Sequence, residues 1–178
     1  MSLSKHERSK NGKEEWLTPP GIINGLGGYL SFDLDPCAPI NPPWPTARKH
    51  YNINDDGLSL PWYGRVWLNP PYGNKTALWM ARLALHGNGL ALIYARTETR
   101  YWFPHVWKHA AGFYFFKSRL IFHNVDGTPA RDSKGGIQKA PAPSVLIAYG
   151  EECHKALKVF ASVYGLDEYP GHYLPNRI

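Results

Sequence analysis

Long apolar runs are missing from this 178-residue chain. No stretch approaches the roughly 18 apolar residues that a membrane-spanning helix needs, and the opening "MSLSKHERSKNGKEE" lacks the apolar core of a secretory signal. Cysteine is scarce. Cys37 and Cys153 stand far apart with no partner pattern, so we expect reduced thiols and a cytoplasmic setting. His105 and His109 are four apart, a spacing that can clasp a metal, but no third ligand joins them and we expect no metal site. Internal repeats are absent apart from one duplicated word, Asn-Pro-Pro, at 41–43 and 69–71.

What is present is a basic, aromatic-rich globular sequence. Residues 1–15 are polar and charged and read as a flexible arm, while 16–178 read as a single domain long enough to bury a core. The net charge of +6 and pI near 9.3 are compatible with a polyanionic partner, because cationic side chains displace counterions from phosphates. Seven Trp and eleven Tyr could supply flat stacking surfaces for bases, although core filling accounts for most of them.

The periodicity alternates. "TPPGIINGLGGYL" reads as a short helix with Thr18 as N-cap, ended by Gly27 and Gly28, and "YLSFDLD" as a strand stopping at Asp35. Residues 36–64 hold six prolines and leave room for one short strand near "KHYNI". "RVWL" is a buried strand, "KTALWMARLALHG" an amphipathic helix closed by Gly87, and "GLALIYA" another buried strand. A helix around "TRYWFPHVWKHA", strands at "GFYFF", "RLIFH" and "SVLIAYG", and a closing helix "EECHKALKVFASVYG" follow. This alternation predicts an α/β domain with a largely parallel sheet, whose ligands gather at the carboxyl ends of the strands. Asp35, Asn69 and the residues after Tyr94 fall at those ends.

The two Asn-Pro-Pro words differ in context. Asn41 lies in a proline-rich loop with no strand feeding it. Asn69 ends the "RVWL" strand and is followed at once by a helix, so the second copy is the site candidate. A residue before proline is pushed into extended conformations, and each proline fixes φ and removes an N–H. Asn69 then offers a side-chain oxygen and Pro70 a backbone oxygen as two acceptors in a rigid frame. A planar exocyclic amine has two hydrogens to donate; holding both draws its lone pair out of conjugation and aims it at an electrophile. Tyr72 supplies a face on which the ring can stack. The arrangement suits a nucleobase amine prepared for methyl transfer.

The sequence resembles the S-adenosylmethionine-dependent amino-methyltransferases with a (Asp/Asn/Ser)-Pro-Pro-(Tyr/Phe) motif, and more closely the small phage-type DNA adenine methyltransferases. The residues carrying the resemblance are "WLTPP" (16–20), "FDLDPCA" (32–38), "NDDGL" (54–58), "VWLNPPYG" (66–73) and "SRLIF" (118–122). It implies a compact, Rossmann-like class I methyltransferase fold, mostly parallel with helices on both faces of the sheet. It implies Asn69, Pro70, Pro71 and Tyr72 as the catalytic motif, and Asp35, Pro36, Cys37 and Ala38 as the cofactor-binding turn. Trp16, Thr18 and Pro19 match the segment closing over the methionine part of S-adenosylmethionine. Asp56, ahead of Asp55, would accept hydrogen bonds from its ribose or adenine, with a solvated turn as the competing reading. Arg119 and Phe122 match a motif lining the target-base pocket, against surface charge and core packing. Larger relatives carry a Gly-x-Gly turn after Asp-Pro. Here the text is "DPCAPINPP", and only 34 positions separate Asp35 from Asn69, so the sheet's centre must be trimmed.

The resemblance implies methylation of the exocyclic amine of adenine in double-stranded DNA, with the base flipped out of the helix. By the same analogy the origin is a phage or prophage and a short palindrome such as GATC is plausible. A cytosine amine, a protein glutamine amide and a DNA-binding module that lost catalysis are the alternatives. The loop 123–143, with Arg131, Lys134 and Lys139, is the candidate for reaching DNA, with plain surface loop as the equal reading. No membrane and no obligate protein partner are inferred.

Overall fold

The computed structural model describes residues 16–176, so the expected arm at 1–15 lies outside the described residues. A short helix α1 (Pro20–Gly25) leads into β1 (Leu34–Asp35) and β2 (Lys49–His50). Then come β3 (Val66–Leu68), α2 (Thr76–His86) and β4 (Gly89–Tyr94), followed by a π-helical segment (Trp102–Trp107). The chain continues through β5 (Gly112–Phe116), β6 (Ser144–Tyr149), α3 (Glu151–Val163) and β7 (Gly171–Pro175). The seven strands form one sheet in the order β2-β1-β3-β4-β6-β5-β7.

The expectation of a mostly parallel sheet is corrected. β1–β2, β1–β3 and β3–β4 pair in parallel, but β4–β6, β5–β6 and β5–β7 pair antiparallel. The reason lies in the connections. Residues 117–143 form no helix or strand, so the chain leaves β5 and re-enters the sheet at the same edge, and β6 must run backward. α3 then carries the chain over β5 to place β7 outside it. It follows from these pairings that β1, β2, β3, β4 and β5 point the same way. Asp35, Asn69, Ala95 and the start of the 117–143 connection therefore share one edge of the sheet.

Helices cover both faces because strand residues alternate. Trp67, Leu90 and Leu92 face Ile22 and Ile23 of α1 and Leu157 and Phe160 of α3. Val66, Leu68, Ala91 and Ile93 face Trp79, Met80 and Leu83 of α2 and Trp102 and Val106 of the π-helical segment. Trp67 is fully buried in the first layer, and Trp67→Ala would cost about 3–5 kcal/mol. α2 ends as expected, with Gly87 in the left-handed region (φ 75°) and its N–H on the Leu83 carbonyl.

Several local expectations fail. α1 is capped by Pro19 rather than Thr18 and ends before Gly27. "YLS" forms a 3-10 turn, so only Leu34 and Asp35 remain of the first strand. "RLIFH" adds no strand to the sheet; His123 instead makes isolated bridges to Leu17 and Pro129. Between β1 and β3 the chain makes only β2 and loops, so the trimming inferred from the short Asp35–Asn69 spacing is visible in the topology. Among the described residues, no helix is long and apolar enough to cross a membrane.

Candidate active site

The rigid turn after β3 is locked by its neighbours. Thr76, opening α2, donates its hydroxyl to the Pro71 carbonyl at 3.0 Å and accepts the Gly73 N–H at 3.1 Å. Asn69 is held at three points. Its amide nitrogen donates to the Trp16 carbonyl at 2.8 Å, its side-chain oxygen accepts from the Tyr72 hydroxyl at 3.1 Å, and its backbone carbonyl accepts from the Cys37 thiol at 3.3 Å. The Tyr72 ring stacks on Tyr94, the last residue of β4, with centroids 3.9 Å apart and planes 12° from parallel. Burial holds the Tyr72 hydroxyl well above its ordinary pKa, so it is a donor and not a phenolate.

Beside this turn lies a cavity of about 1090 Å³, its open mouth included. The expected cofactor turn forms one wall. Asp35 is 4% exposed, and its carboxylate accepts the Cys37 N–H at 3.0 Å and the Thr46 hydroxyl at 2.5 Å. Burial raises its pKa to about 6, opposed by these two bonds. Cys37 is pushed well above the ordinary thiol range by burial and by the Asp35 carboxylate, which makes it a poor nucleophile. Behind Thr46 sits His50, whose Nε2 accepts the N–H groups of Thr46 and Ala47 at 3.3 and 3.2 Å; burial lowers its pKa and keeps it neutral.

Of the two aspartates in "NDDGL", Asp56 lines the cavity and Asp55 does not; Asp55 accepts the Asn52 N–H at 2.8 Å instead. Asp56 is the one non-glycine described residue with positive φ, at 51°, a left-handed conformation that aspartate tolerates, and its carboxylate accepts the Ser59 hydroxyl at 2.6 Å. Next to it, Gly57 packs so tightly that a Cβ would sit 1.8 Å from the Pro36 carbonyl oxygen. Glycine there lets the two loops touch. Trp16 and Thr18 also line the cavity, and the Thr18 hydroxyl is buried without a hydrogen-bond partner among the described residues.

Other expected residues fall elsewhere. Pro19 and Arg119 line a second concavity, together with His123, Glu168 and Tyr169. Phe122 is 1% exposed and meets the Tyr72 ring edge-on at 6.2 Å and Trp16 at 6.3 Å. Arg131, Lys134 and Lys139 are exposed, the first two on a turn ordered by Asp132, which accepts the N–H groups of Lys134 and Gly136; Arg131 reaches the Gly135 carbonyl at 2.8 Å. Among the described residues, no group of three or more His, Cys, Asp or Glu side chains is placed to hold a metal.

Some wall residues were not anticipated. Pro42 and Trp44, from the first Asn-Pro-Pro word, line the same cavity as Asn69, while Asn41 is exposed and outside its walls. Trp44 meets His123 edge-on at 5.3 Å, so the proline loop touches the 123–143 loop. Thr46 carries no sequence signal, because its partner Asp35 is eleven residues away across the proline-rich loop. Tyr94 could have been found, since an aromatic at the carboxyl end of a strand beside β3 must face the crevice.

Neither a curated protein nor a solved structure matches the chain significantly. A family model described as DNA N-6-adenine-methyltransferase (Dam) matches residues 5–164, which include the Asn-Pro-Pro-Tyr turn and every residue lining the cavity beside it. With that match over most of its length, the chain belongs to the Dam family of DNA adenine methyltransferases.

Proposed function

We propose that this enzyme transfers a methyl group from S-adenosylmethionine to the exocyclic amine of an adenine extruded from double-stranded DNA. One observation carries the reading: the acceptor pair of Asn69 and Pro70 stands in the wall of a cavity that also contains the Asp35 turn. The cavity fits the cofactor's chemistry. It offers aromatic and apolar walls for the adenosine, a buried carboxylate in Asp35 for a cationic group, and in Thr18 a hydroxyl without a partner among the described residues. Asp35, Pro36, Cys37 and Ala38 would hold it from the β1 side, Asp56 at the ribose or adenine, and Trp16 and Thr18 at the methionine end. When bound, it supplies a methyl group on a sulfonium, an electrophile that needs no activation by the protein.

The chain's own residues do the positioning. Asn69 Oδ1 and the Pro70 carbonyl accept the two amine hydrogens and turn the nitrogen lone pair out of the ring system. The Trp16 carbonyl fixes which end of the Asn69 amide faces the substrate, because it takes the NH2 group. One face of Tyr72 is covered by Tyr94, so a base stacks on its other face, with Phe122 nearby. No side chain at the turn is a base at neutral pH, and the surplus proton leaves to water after methyl transfer. Arg131, Lys134 and Lys139 contact phosphates from a connection that starts at the same sheet edge as Asn69.

The test is incubation with methyl-labelled cofactor and unmethylated duplex DNA, then nucleoside analysis. Label in N6-methyldeoxyadenosine is expected. Label in cytosine, or none despite cofactor binding, would overturn the reading.

A further inference from the structure

The hydrogen bond that holds the Asn69 side-chain oxygen comes from Tyr72, and the backbone of the turn does not by itself fix where the Tyr72 ring lies. Its backbone is stiffened by the two preceding prolines, which leave χ1 and χ2 to be set by the hydroxyl bond and by ring packing. Phe122 meets the ring only edge-on, at 6.2 Å; its face is covered by Tyr94. Tyr94 is the last residue of β4, paired opposite Ser144 of β6, and β4 itself lies against β3 in parallel register. The backbone beneath it is thus tied to β6, and β4 is held against β3 three residues earlier, where Ala91 pairs with Leu68. Its ring lies on the Tyr72 ring at 3.9 Å and 12°, full facial contact rather than a glancing edge. Such a pair is worth roughly 0.5–1.5 kcal/mol beyond its burial, or about two- to tenfold in a population.

We propose that Tyr94 is a positioning residue for methyl transfer. Anchored on β4, it holds the Tyr72 ring at the angle at which an extruded base stacks and keeps the Tyr72 hydroxyl on Asn69 Oδ1. The inference rests on the proposed reaction. It adds that the stacking platform is two rings deep, the lower ring supplied by a strand outside the Asn-Pro-Pro-Tyr motif. Tyr94 touches neither reacting atom. Its contact is through the ring face, so phenylalanine would serve in its place.

The experiment is a double-mutant cycle read by single-turnover methylation of duplex DNA, with cofactor affinity measured by calorimetry. Tyr94→Leu is expected to slow methylation about tenfold while cofactor affinity stays within about twofold, and Tyr94→Phe to restore most of the rate. In a Tyr72→Ala background, Tyr94→Leu should add less than about twofold, since no ring remains to position. Tyr94→Met replaces the leucine variant if circular dichroism shows that the latter unfolds. A wild-type rate in the ringless variant, the full loss persisting without the Tyr72 ring, or Tyr94→Phe as slow as Tyr94→Leu would each overturn the proposal. Failure of the wild-type protein to methylate adenine would instead remove the reaction on which it rests.

Discussion

The Tyr72 hydroxyl donates to the side-chain oxygen of Asn69 at 3.1 Å, three residues back along the same turn. In the proposed reaction Tyr72 therefore has a second task besides offering a stacking face: its hydroxyl occupies one lone pair of the oxygen and leaves the other for an incoming amine. Tyr72→Phe keeps the ring and loses the bond, so methylation should fall only about fivefold, the value of one neutral hydrogen bond near 1 kcal/mol. Tyr72→Ala also loses base stacking, a further cost of about 1–3 kcal/mol. Single-turnover rates on duplex DNA separate the two. Equal loss in both variants would assign the whole effect to the hydroxyl.

The duplicated Asn-Pro-Pro word supplies an internal control. Asn69→Ala should abolish turnover while leaving the fold and much of the cofactor affinity intact. Asn41 is exposed and outside the cavity walls, so Asn41→Ala should retain substantial activity. Parallel rate and binding measurements check this, and equal loss in two folded variants would show that both words act.

Asp35 carries a stability cost that depends on pH. Its carboxyl titrates near 6 in the folded chain against 3.8 ordinarily, because burial disfavours the charge. The folded state therefore holds the proton more tightly than the unfolded state. Its contribution to stability is full below about pH 4 and is lost as pH rises through 6, a difference of about 3 kcal/mol. Asp35→Asn should raise the melting temperature at pH 7.5, with the gain shrinking toward pH 4, and should weaken S-adenosylmethionine binding. An unchanged melting temperature across that range would show that Asp35 is solvated in solution.

The basic turn is tested through salt. If Arg131, Lys134 and Lys139 each neutralise a phosphate, replacing all three should lower DNA affinity. It should also flatten the slope of log K against log salt by about 2.7. Binding that is unchanged over a salt series would return these side chains to solvent.

The strand, turn and helix from Val66 to His86 were legible because their signals are local: a short apolar run, two prolines and a closing glycine. Pairing direction was not. Whether β6 runs with β5 or against it depends on where residues 117–143 travel, and no periodicity encodes that. β7 escaped notice because "GHYLP" is mostly exposed and lacks an apolar face. In the site, Asn69, Asp35, Cys37 and Thr18 could be found because they sit within quoted motifs. Pro42, Trp44 and Thr46 could not, because each reaches the cavity through the folding of a proline-rich loop.

The two ends of the seven-stranded sheet bear on solubility. An unpaired strand edge is a template on which another chain can add a strand. At one end lies β2, two residues long, with an exposed lysine at position 49. At the other lies β7, with Pro170 just before it and Pro175 as its last residue. Proline has no N–H with which to extend a ladder, and a two-residue strand offers too little backbone to seed one. Both ends of the sheet are therefore poor templates for a further strand, one through its shortness and the other through its flanking prolines.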